Sequence, residues 1–207
     1  MPLPRFERLD PERRAALLDA AARHFAERGY DGASLNEILA EVGIGKSSYY
    51  YYFSDKEDLF TTVMEGRFAD AHGQIASLSL DERSEAAWWG SVEHFLSQWM
   101  SAFDADPLTR GLSRALQTMR RSPPPRLRPL FEVTRAMYAR WIERGKELGF
   151  VRTDVATPVL VGLLEAVDMA LDDALLEDPA LDLDLHARRV VDTYRRILVP
   201  GEIRRQS

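Results

Sequence analysis

SLNEILAEVGIGKSSYYYYFSDK, residues 34 to 56, reads as two short helices joined by a tight turn. Ser34 is a helix N-cap, and Glu37 three residues on completes the S-x-x-E capping box. Leu35, Ile38, Leu39 and Val42 recur at three- and four-residue steps, the spacing of one apolar helix face. Gly43 follows where the chain needs a left-handed backbone to leave the helix, and Ile44 is the apolar plug of the turn. The second helix spans Gly45 to Phe53 and presents Lys46, Ser47 and Ser48 ahead of four consecutive tyrosines.

Successive side chains fan around a helix at about 100° each, so four tyrosines in a row cannot all be buried. Tyr49 and Phe53, four apart, share the core face, which leaves Tyr50, Tyr51 and Tyr52 pointing partly outward. Short polar residues at a helix start, phenol hydroxyls behind them and Lys56 just beyond suit docking on a polyanion. Helix-start amides favour phosphate, and the side chains can reach base edges in a major groove. The candidate DNA-contacting set is Ser34, Asn36, Lys46, Ser47, Ser48, Tyr50, Tyr51, Tyr52 and Lys56.

The run from Gly43 to Leu59 follows the pattern G-[IV]-x-x-x-x-[LY]-Y-x-[HY]-F-x-x-K-E-x-L, and Ala21, Phe25, Gly29 and Tyr30 precede it in order. In these residues the chain resembles the tetracycline-repressor (TetR) family of one-component regulators over about its first 65 positions. The resemblance implies an all-α fold of about nine helices. An N-terminal three-helix helix-turn-helix domain, residues 1–55, would bind DNA. A helical domain, residues 56–207, would bind an effector and dimerise. It implies a regulator, by family default a repressor, that binds a double-stranded operator as a homodimer and is released by a small molecule. Three positions depart from the family pattern: Gly45 in place of a stronger cap, Leu39 in place of Ala, and Tyr49 in place of Leu. A buried Tyr49 would need a partner for its hydroxyl.

Composition narrows the classes. The 207 residues contain no cysteine, which excludes disulfide staples and thiolate metal sites. No apolar run reaches the roughly 18 residues of a membrane helix, and the start carries no signal-peptide core, so a cytoplasmic protein without membrane contact is expected. The net charge of −6 is unusual for a nucleic-acid binder, and residues 1–56 carry eight Lys/Arg against nine Asp/Glu. Placement then matters more than sum: Arg5, Arg8, Arg13 and Arg14 lie at or before the first helix, while Lys46 and Lys56 flank the tyrosine run. His24, His72, His94 and His186 are scattered, and neither a G-x-S-x-G nucleophile elbow nor a phosphate-binding glycine loop occurs, so no enzyme, metal or cofactor is expected.

The rest of the chain is a series of helices. Residues 1–9 read as a loose arm, and Asp10-Pro11 opens a helix that Gly29 ends. A helix from Lys56 to about Ser77 follows, then one from Ser84 with an aromatic stripe of Trp88, Val92, Phe95, Trp99 and Phe103. Pro107 opens the next, and Arg126 to Leu148 follows the triple proline 123–125. The penultimate helix starts at Thr153 or Asp154 and is almost wholly apolar from Val155 to Val167, so it must be covered on nearly all sides. Pro179 breaks the chain before the last helix, Leu183 to Leu198. The last two helices from each of two copies would form a four-helix bundle, hence two-fold symmetry and a near-palindromic operator.

Phe95, Trp99, Met119, Met137 and Trp141 form the candidate wall of a site for a mostly apolar or aromatic effector, although an aromatic stripe at this spacing is more often plain core. Glu165, Asp168 and Asp172 share a face of the apolar penultimate helix. They form a solvent strip or pair with Arg188 and Arg195, or else Glu165 or Asp168 selects a cationic or hydroxylated effector. A different class of reading is a helical protein-interaction module that no longer reads DNA; salt-dependent duplex binding separates the two.

Overall fold

The computed structural model describes residues 4–77, 79–103, 106–120, 122–177 and 182–199, and among them every regular element is helical. The helices are α1 (Pro11–Gly32), α2 (Leu35–Glu41), α3 (Lys46–Tyr52), α4 (Lys56–Ser77), α5 (Glu85–Phe103), α6 (Pro107–Gln117), α7 (Arg128–Glu147), α8 (Thr157–Glu177) and α9 (Leu183–Leu198). The break expected at Pro179 and the side chains of Phe103 and Asp172 lie outside the described residues.

Packing divides the chain into two compact units. The first comprises residues 1–72 with 103–131, the second 73–102 with 132–207. This differs from the functional boundary expected at residue 55, because the small head does not close its own core. Beside Leu17, Phe25, Ile38, Tyr49 and Phe53, that core takes Leu59, Phe60, Val63, Met64 and Phe68 from α4 and Leu112 and Ala115 from α6. A domain of some 55 residues buries too small a share of its surface to stand comfortably alone. Each fully buried large side chain from α4 contributes about 1.5–3 kcal/mol. Helix α6 lies so close to α1 that a Cβ on Gly111 would sit 2.6 Å from the Ala26 carbonyl oxygen.

Local signals set the helix ends. The Asp10 carboxylate accepts from the Glu12 and Arg13 amides, each at 3.1 Å, and Pro11 opens α1. Gly29 (φ 68°) breaks α1, and Gly43 (φ 66°) turns the chain out of α2, both in the left-handed region that favours glycine. Ser34 Oγ accepts from the Glu37 amide at 3.4 Å, but the Glu37 carboxylate takes the Arg28 guanidinium rather than reaching back, so the capping box is only half formed. The expected loose arm is also not loose: Phe6–Arg8 form a 3-10 turn, and the Phe6 ring is 2% exposed.

The second unit packs α5, α7, α8 and α9 around Trp88, Trp89, Tyr138, Ile142, Leu160, Leu164 and Tyr194. Helix α8 begins at Thr157, three to four residues later than expected. Val151 is buried, the Arg152 amide donates to the Leu198 carbonyl at 2.7 Å, and the Arg152 guanidinium grips Asp154, which holds that segment out of the helix. Leu160, Val161 and Leu164 of α8 are buried, yet Val159 is 55% and Leu163 44% exposed.

Candidate nucleic-acid interface

Helix α3 is fixed from beneath. Tyr49 and Phe53 are fully buried, their rings stacked at 5.4 Å. The Tyr49 hydroxyl donates to the Asp55 carbonyl at 2.7 Å, so the polar atom that replaces an aliphatic side chain is satisfied. Burial, then the nearby Asp55 and Asp58 carboxylates, push the Tyr49 phenol well above its ordinary range. In the turn, the Ile44 amide donates to the Leu39 carbonyl at 3.0 Å. Gly45 stands at the N-cap of α3 without a side-chain cap bond.

The opposite face is open. Asn36, Lys46, Ser47 and Ser48 are exposed, and Tyr50 and Tyr51 are 54% and 48% exposed. Ser34 is half-buried with its oxygen engaged at the α2 cap. Tyr52 is half-buried too, its ring 6.2 Å from that of Phe6, so it reaches outward less than Tyr50 and Tyr51. Lys56 corrects the sequence reading. Its ammonium donates to the carbonyls of Tyr30 (2.7 Å), Asp31 (3.4 Å) and Ala33 (3.1 Å) and lies 4.6 Å from the Tyr30 ring centroid. A cation at the carbonyl end of a helix is favourably placed; Lys56 joins α4 to the end of α1 rather than standing free for phosphate.

Charge is sorted the same way. Arg14 pairs with Glu7, Arg23 with Glu41, Arg28 with Glu37 and Arg126 with Asp55. His24 Nε2 lies 2.9 Å from the second Glu41 oxygen, and Arg23 and His24 together hold that carboxyl below its ordinary range. Arg5, Arg8, Arg13 and Lys46 have no carboxylate partner among the described residues. Sequence reasoning named Arg5 by its place before the first helix, but missed Phe6, which lies 4.7 Å from the Phe53 ring, and the seat of the Arg5 guanidinium 4.6 Å over the Tyr51 ring. The available signal was an aromatic residue, Phe6, standing between Arg5 and Arg8.

Residues 17–63 match the family model described as bacterial regulatory proteins, tetR family. Over that segment the chain is similar to the tetR family. The chain spans about a quarter of the length of the first curated relatives it matches. It is 38% identical over 52 residues to the biofilm operon negative transcriptional regulator IcaR of Staphylococcus epidermidis, covering 25% of this chain and 28% of that one. Similarity extends further in the transcriptional repressor AcnR of Corynebacterium glutamicum, 28% identical over 161 residues, 74% of this chain and 77% of the relative. The fold matches that of the transcriptional regulator FadR from Bacillus subtilis, solved in complex with stearoyl-CoA. The TM-score is 0.68 at 15% identity, over 87% of this chain and 96% of that one.

The residues expected to form an effector wall come together only in part. Phe95 stacks on Trp99 (5.9 Å) and meets Trp141 edge-on (5.5 Å), and Met137 is buried in the same cluster. Met119 does not join them. It packs against the core of the first unit, since α6 belongs to that unit. Phe95 also borders an open, shallow cavity of about 390 Å³ lined by Ser79, Ala87, Gly90, Ser91, His94 and Gln98.

The two carboxylates differ from both expected readings. Glu165 pairs with Arg135 at 3.3 Å. Asp168 accepts from the Tyr138 and Tyr194 hydroxyls, which lie 3.0 Å from each other. Arg188 pairs instead with Glu93 at 3.3 Å, and the Arg195 guanidinium lies 5.8 Å from the Trp89 ring. A carboxylate among apolar helices needs donors close by; two phenols on α7 and α9 supply them.

Proposed function

We propose that this chain is a transcriptional regulator that reads a near-palindromic operator as a homodimer. Residues 1–55 act as the reading head, and residues 56–207 hold the effector and the partner copy. The carrying observation is α3. One side is locked by Tyr49 and Phe53, while Lys46, Ser47, Ser48, Tyr50 and Tyr51 are exposed. A short helix held so firmly, with hydroxyls and an ammonium outward, is suited to a major groove.

The bare aliphatic side of α8, Val159 and Leu163, supports self-association through the last two helices. Two heads related by a two-fold axis would contact half-sites about one DNA turn, roughly 34 Å, apart. Repression is the sign that the names of IcaR and AcnR favour. The aromatic cluster of Phe95, Trp99, Met137 and Trp141 supports a mostly apolar or aromatic effector, in keeping with the acyl ligand of the FadR neighbour. By coupling, such an effector lowers operator affinity by about 1–3 kcal/mol.

The test is an electrophoretic shift with the duplex upstream of the protein's own gene at low salt. Wild type shifts it, and Lys46→Ala combined with Tyr50→Ala weakens binding on the order of 100-fold, two contacts at about tenfold each. No shift by wild type, or an unchanged shift by the double variant, refutes the reading and favours a protein-interaction module.

A further inference from the structure

The net acidity of the chain leaves few cations for a polyanion, and the structure singles out one that the helix-turn-helix itself does not contain. Phe6 is buried against the carboxyl-terminal end of α3, its ring 4.7 Å from Phe53 and 6.2 Å from Tyr52. That anchor fixes the preceding residue. The Arg5 guanidinium carbon sits 4.6 Å over the Tyr51 ring, and both side chains are exposed. Stacking engages the face of a guanidinium and leaves its in-plane N–H donors free. Glu7, the neighbouring carboxylate, is taken by Arg14, and no carboxylate pairs with Arg5 among the described residues.

We infer that Arg5 is a phosphate-contacting residue of the reading head, positioned by Phe6 and braced on Tyr51. The inference rests on the reading of α3 as the element that enters the groove. Lys46 opens α3 and Arg5 overlies its penultimate residue, which places a cation at each end of a helix about 10 Å long. A B-form major groove is about 12 Å wide and is walled by phosphates on both sides. Arg5 thus takes the place that the sequence assigned to Lys56, whose ammonium is engaged by the end of α1. The contact carries no base information, because its partner is the backbone.

The experiment measures binding of the full chain to the duplex upstream of its own gene, across a salt series, for wild type, Arg5→Ala, Arg5→Lys and Arg83→Ala. Arg83 is an exposed arginine of the second unit, so its loss controls for bulk charge. Arg5→Ala is expected to lower affinity about tenfold on this duplex and on an unrelated one alike, and to reduce the slope of log affinity against log salt by about one. Arg5→Lys keeps the slope and recovers part of the affinity, and Arg83→Ala changes neither. Thermal stability of Arg5→Ala stays at the wild-type value, since the side chain is exposed. Wild-type binding with unchanged affinity and slope in Arg5→Ala overturns this inference and leaves the reading of α3 intact. Equal losses in Arg5→Ala and Arg83→Ala, or a loss that tracks a lower melting temperature, overturn it too. Failure of wild type to bind any duplex defeats the underlying reading itself.

Discussion

The two units solve opposite surface problems. The first pairs many of its carboxylates internally: Glu7, Glu37, Glu41, Asp55 and Asp106 each hold an arginine. Among its described residues the exposed large hydrophobic side chains are Tyr50 and Tyr51, which carry hydroxyls. The second unit leaves bare Val159, Leu163 and Leu185, which carry none, while drawing a carboxylate, Asp168, in among tyrosines. Hydroxyl-bearing surfaces exchange water for polar partners at little cost, whereas exposed aliphatic surface gains by meeting its like. On the proposed function, the contrast separates a face for nucleic acid from a face for a second copy.

The largest effect should come from destroying the aliphatic face. In the proposed two-fold interface Leu163→Glu would place two carboxylates together, and like charges so juxtaposed cost on the order of several kcal/mol. Sedimentation should then find a monomer, with operator affinity lost; a dimer that survives would mean the bare side of α8 serves something else.

A smaller effect compares buried phenols. Tyr194→Phe removes a donor from a carboxylate and should cost about 1.5–3 kcal/mol, whereas Tyr49→Phe removes one from a neutral carbonyl and should cost about 1 kcal/mol. Chemical denaturation of both variants would rank them, and the reverse order would mean Asp168 depends little on its phenols. The smallest effect concerns pH. Burial, then the nearby Arg189 charge, holds His186 below its ordinary value. The unfolded chain therefore binds its proton first, so the second unit keeps full stability above about pH 6.5 and loses it as the pH falls through the lower folded value. Melting curves between pH 7 and pH 5 should show that loss, flattened in His186→Gln.

The head was the more legible half because its signals are local. Asp10-Pro11, Ser34, Gly43 and the burial of Tyr49 and Phe53 each depend on neighbours within a few residues. The misread positions depend on distant ones. Lys56 is engaged by carbonyls 23 to 26 positions away. Met119 belongs to the other core because α6 packs on α1. The Asp168 partners come from α7 and α9, not from the arginines that spacing suggested. The late start of α8 follows from a bond between Arg152 and Leu198, at the far end of the chain.

Helical periodicity, capping residues and the outward tyrosines followed from the order of residues alone, since an α-helix ties each position to those three and four away. Which cation remains available, which acid is satisfied and which aliphatic face stays bare came only with the tertiary structure. A long side chain finds its partner through space, and many partners at similar range satisfy the same pattern until the backbone selects one.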